Sequence, residues 1–100
     1  MARFTVVVTA KAQSDLYNLR DAIVNYYKAP LTSKRFLEDL NRSMQWLANG
    51  ADYFPSVPEL YYTFGFEVHR LNFKKMAILY SIEDEIVYIH RIIPQSMIIY

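Results

Sequence analysis

Apolar and polar positions change period along this chain, and each change marks an element. From Arg3 to Thr9 they alternate. Phe4, Val6 and Val8 fall on one side, with Thr5, Val7 and Thr9 on the other, which predicts a strand half buried or near a sheet edge. From Ala10 to Lys28 the apolar residues Ala12, Leu16, Leu19, Ile23, Tyr26 and Tyr27 recur at intervals of three and four, with Lys11, Asp15, Asn18, Asp21 and Asn25 on the other side. This is the period of an amphipathic helix. Thr9 is placed to cap it, and Pro30 ends it, because the residue before a proline leaves the helical region. A second helix starts near Leu31 or Thr32 and stops at Asn49-Gly50. Phe36, Leu37, Leu40, Met44 and Leu47 form its stripe, with Trp46 beside it and Lys34, Arg35 and Arg42 on its polar face. So short a connection predicts an antiparallel helical hairpin.

Ala51 to Gly65 has no helical or strand period and reads as a connector, with prolines at 55 and 58. It is rich in aromatics (Tyr53, Phe54, Tyr61, Tyr62, Phe64), which seal a small core or meet a partner. Three strands then follow closely: FEVHRLNF, KMAILYSI and EIVYIHRII. In the middle one Met76, Ile78, Tyr80 and Ile82 share one face and Ala77 and Leu79 the other, so it is central to a sheet. On the first, Arg70 shares a face with Phe66 and Val68, and His69 with Leu71 and Phe73. On the last, strict alternation puts Val87, Ile89, Arg91 and Ile93 on one face and Ile86, Tyr88, His90 and Ile92 on the other. After Pro94 the chain ends in Ile98, Ile99 and Tyr100, an apolar tail that docks on the body or on a partner.

Length and composition narrow the function classes. One hundred residues, 53% hydrophobic and 21% charged, make a single globular domain spanning 1–100. No apolar run reaches membrane-spanning length, and the N-terminus reads as a strand and not as a leader, so a cytoplasmic protein with no membrane partner is expected. There is no cysteine, hence no disulfide and no thiolate metal site. The net charge of +1 gives no strong overall attraction to nucleic acid.

Two glycines, Gly50 and Gly65, leave no Gly-rich phosphate cradle, and two histidines on different strands do not make a metal site, so no cofactor or metal is expected. Arg70 is the sharpest candidate. At a strand centre it must find partners or reach a cleft, where it would hold a phosphate bidentately. Arg91 is the second, and His90, with His69, is a candidate base of near-neutral pKa.

The order of elements, taken with specific residues, resembles the RelE/ParE superfamily of bacterial toxins from type II toxin–antitoxin modules. VVVTAKAQSDLYNL is similar to that family's strand followed by T-x-x-A-x-x-D-L. FLEDLNRSMQWLANG with FPSVP resembles its second helix and proline-containing loop. HRLNFKKMAILYSIEDEIVYIHRI resembles its C-terminal hairpin, with Arg70 at the position of the family's second-strand arginine.

The resemblance implies an α+β fold in the order β-α-α-β-β-β, a small antiparallel sheet with the helical hairpin packed on one face. It implies a growth-inhibiting, plasmid-stabilising toxin neutralised by a cognate antitoxin, with operator DNA reached only through that antitoxin. Nuclease members carry Tyr-Arg where this chain has Met76-Ala77, and His then Arg where it has Pro94 to Met97. The first expectation is therefore a ParE-like toxin that binds DNA gyrase. The alternatives are a RelE-like endoribonuclease on the ribosome and its mRNA, using Arg70, Arg91 and His90, and a degenerate member that only binds the antitoxin.

Overall fold

A computed structural model of the chain describes residues 3–27 and 30–98, without the side chains of residues 26, 27 and 30. The expectations for Tyr26, Tyr27, Lys28, Ile99 and Tyr100 fall outside what it describes. Four strands, β1 (Thr5–Val8), β2 (His69–Phe73), β3 (Met76–Glu83) and β4 (Ile86–Pro94), form one sheet in the order β1-β4-β3-β2. The helices are α1 (Ala10–Tyr27), α2 (Pro30–Gly50) and the short α3 (Tyr61–Phe64).

The β-α-α-β-β-β order and the helical hairpin are present. The C-terminal strands pair antiparallel, as their short turns require, whereas β1 joins β4 in parallel, Thr5 opposite Ile86 through Val8 opposite Ile89. The sheet is therefore mixed. A parallel neighbour needs a long crossover, and the two helices supply it. α1 is described as far as Tyr27, and the break expected just before Pro30 falls outside the described residues, while Pro30 itself opens α2, at the helical position where its missing N–H and fixed φ cost nothing.

Met76 through Tyr80 are all buried. Ile78 and Tyr80 face the helices, where they meet Ala12, Leu40, Met44, Leu47, Val87, Ile89 and Ile92. Ala77 and Leu79 face the other way and form a smaller cluster with Leu60 and Val68, covered by Val57, Phe64, Ile93 and Ile98. The aromatic connector and the C-terminal segment are thus the second layer. Trp46 of α2 and Tyr53 and Phe54 of the connector pack edge to face at 5.4–6.1 Å, while Tyr53 and Tyr62 stay exposed. Gly65 ends α3 in the left-handed region at φ 81°. Gly50 lies beneath the Trp46 indole, where an added Cβ would meet ring carbons at 2.5–2.7 Å.

The strand faces of β4 depart from simple alternation. Tyr80 pairs with Ile89 but Leu79 with Arg91, so His90 is an inserted residue, a β-bulge. Beyond it the faces exchange. Ile92, not Ile93, continues the helix-facing row of Val87 and Ile89, and Ile93 joins the opposite cluster.

Tyr80 is fully buried and its hydroxyl donates to the Ala51 carbonyl, tying the sheet to the end of α2. Burial pushes its pKa well up, so it remains a donor throughout the working pH range. Tyr80→Phe leaves that carbonyl without its partner and should lower unfolding free energy by about 1–3 kcal/mol, measured by urea denaturation with an unchanged m-value.

Candidate functional site

The face of the sheet turned away from α1 and α2 carries most of the polar residues singled out above. Arg70 stands there, opposite Leu79. Its Nε donates to Asn72 Oδ1 at 2.6 Å and its Nη2 to Gln95 Oε1 at 3.1 Å. Gln95 is itself fixed, its Nε2 donating to the carbonyls of Lys74 (2.7 Å) and Met76 (3.3 Å) and its backbone N–H to Lys75. Arg70 is half-buried, and Asn72 and Gln95 are among the side chains that hold its guanidinium. This is a preorganised cation that can receive a phosphate or carboxylate.

The other candidates do not gather around it. Arg91 lies two strands across, about 10 Å away by the ordinary strand spacing, and is taken up by α1. Its Nε donates to Asp15 Oδ2 at 2.7 Å and its Nη2 to Asp15 Oδ1 at 3.2 Å, while the Ile92 N–H donates to the same carboxylate at 2.9 Å. His69 faces the helices, stacked on Tyr80 at 5.3 Å, with Nδ1 donating to the Phe54 carbonyl at 2.8 Å and Nε2 lying 3.4 Å from Glu67. His90 shares the outer face with Arg70 but lies toward the β3–β4 turn. Its Nε2 is 2.7 Å from Ser81 Oγ, and its ring is 4.8 Å from that of Phe66. Burial lowers the His90 pKa, which favours the neutral ring that shares this hydrogen bond with the Ser81 hydroxyl. No described group of three or more His, Cys, Asp or Glu residues is placed to hold a metal ion.

Asp15 is the functional neighbour that the sequence reading placed on the wrong side. Its spacing was available: three residues after Ala12 and four before Leu19, it falls within the apolar stripe. An acid there needs a buried partner, and Arg91 is that partner. Asn72 and Gln95 gave no comparable signal: Asn72 is an ordinary polar residue two positions along the same strand, and Gln95 reaches Arg70 only through the fold.

The sequence model of a family described as "ParE toxin of type II toxin-antitoxin system, parDE" matches residues 6–99. No curated protein matches the chain. Among solved structures, eight chains match. One of these, titled "Chromosomal ParDE TA system from P. aeruginosa", is similar with a TM-score of 0.73 at 18% identity, over 92% of this chain and 96% of that one. At that identity the likeness is one of fold.

Two measurements check this geometry. In a double-mutant cycle of Asp15→Ala and Arg91→Ala, each single change should cost about 3 kcal/mol, because each strands the other's charge, and the double variant should cost clearly less than the sum. For His90 the folded pKa lies below the unfolded value of 6.5. The unfolded chain therefore binds the proton first. Stability should be full above about pH 6.5 and fall as the pH drops below it, levelling only beneath the folded pKa. Urea titrations of the protein and of His90→Asn should show that slope in the first and not in the second.

Proposed function

The chain belongs to the ParE toxin family of type II toxin–antitoxin systems, and on that premise we propose that it acts by binding, as a gyrase inhibitor masked by a cognate antitoxin. In this reading residues 1–100 are one toxin domain working in the cytoplasm, and operator DNA is reached only through the antitoxin. The observation that carries the binding mechanism is the dispersal of the candidate residues. Arg70 is held by Asn72 and Gln95 at one end of the outer face, while His90 lies toward the β3–β4 turn beside Ser81 and Phe66. His69 is turned to the helices, and Arg91 is neutralised by Asp15. A cleaving site needs a base within hydrogen-bond reach of the proton it removes, whereas a binding surface needs only the fixed cation.

Expression of the chain alone should arrest growth, and co-expression with the small protein encoded beside it should relieve the arrest. The purified chain should inhibit gyrase supercoiling, and Arg70→Ala should weaken that inhibition about tenfold, the usual scale for losing a charged anchor. Arrest accompanied by mRNA cut at ribosome-bound sites, and abolished by Arg70→Ala, would replace this reading with the RelE-like one. A chain that binds the neighbouring protein without arresting growth would be a degenerate member.

A further inference from the structure

At the end of the outer sheet face away from Arg70 lies a cleft, roughly 470 Å³ in volume. Its walls are aromatic. The Phe66 ring sits 4.8 Å from His90, and Tyr88 lies 6.4 Å from the same imidazole. Phe66 is 38% exposed. Ser81 is already engaged with His90 Nε2, so the floor offers ring faces in place of free hydrogen-bonding groups.

The rim is acidic. Glu67 and Glu83 line the cleft with no lysine or arginine among its walls, and Asp84 and Glu85 follow in an exposed turn. Among the described residues none of Glu83, Asp84 and Glu85 has an ion-pair partner, and Glu67 has only the His69 ring at 3.4 Å. The backbone adds a third property. β2 begins at His69, opposite Tyr80, but β3 continues to Glu83. On that side Ser81 to Glu83 have no strand neighbour among the described residues.

We infer that this cleft is a docking surface for an extended, arginine- or lysine-bearing segment of a partner protein. Main-chain groups of the segment pair with the open edge of β3 in line with β2, which is strand addition. A cationic side chain lies over the Phe66 ring and ends among Glu67 and Glu83. Acidic rim and aromatic floor select the same charge, and the rim repels phosphates, so nucleic acid is disfavoured here. The groove between α1 and α2 makes no such selection, because Arg20, Lys34 and Glu38 line it together. The inference does not depend on gyrase being the target.

The test is an NMR titration of the isotope-labelled full chain with a short peptide alternating Arg and Val, against a Glu-Val peptide and an oligothymidylate. Shift changes should centre on Phe66, Ser81, Tyr88 and His90, and affinity should fall with added salt. Phe66→Ala should weaken binding about tenfold. Glu67→Gln with Glu83→Gln should remove the salt dependence, and this surface pair carries the test alone if Phe66→Ala disturbs the circular dichroism. Equal binding of the Glu-Val peptide, preference for the oligothymidylate, changes confined to Asp84 and Glu85, or no binding of the Arg-Val peptide would each overturn the inference.

Discussion

Met76 to Tyr80 is buried on both faces, and a strand of that kind obliges the chain to cover two sides of one sheet. The helical hairpin covers one side with Leu40, Met44 and Leu47. The other is too small for a second pair of helices. The chain covers it with Val57, Leu60 and Phe64 of the connector and Ile98 of the C-terminal segment. The irregular middle of the sequence and its apolar end therefore share one physical task. They also confine the polar surface between them. Arg70 lies at one end of the outer face and His90 toward the other, and the apolar cluster around Leu79 separates them.

Much of this was legible in the order of residues. The helical stripes, the central position of β3 and the one-sided burial of β1 follow from periodicity, because burial and repeat are coupled in regular elements. What escaped was produced by exceptions to regularity. A single inserted residue, His90, exchanges the inward and outward sets of β4, so Ile92 and Ile93 swap the sides that strict alternation gives them. No local feature of YIHRII announces a bulge, because the register is set by pairing with β3 and not by the strand itself. The parallel union of β1 with β4 is likewise a matter of long-range pairing.

The candidate site shows the same division. Arg70 stood out from sequence alone, because a guanidinium within an apolar strand demands partners. Those partners, Asn72 and Gln95, are ordinary polar residues: Asn72 lies two positions along β2, and Gln95 is brought there by the turn after Pro94. Arg91 stood out for the same reason, yet the structure gives it a structural partner in Asp15. One rule therefore found two arginines whose environments differ. One is held on the outer face by Asn72 and Gln95, and the other is one half of an ion pair with Asp15 of α1. Charge at a strand centre signals that a partner exists, and only the fold says whether that partner is a carboxylate.

The position of Asp15 has a consequence for strand pairing. β1 pairs with β4 only as far as Val8, opposite Ile89. Just beyond, Thr9 gives its N–H and its hydroxyl to the Ile89 carbonyl, and Asp15 accepts the Ile92 N–H. The side chains of α1 thus continue the ladder that β1 leaves unfinished. A sheet edge whose groups are already occupied offers a neighbouring molecule no template for strand pairing. The same carboxylate that neutralises Arg91 therefore withdraws the stretch of β4 beyond β1 from strand pairing.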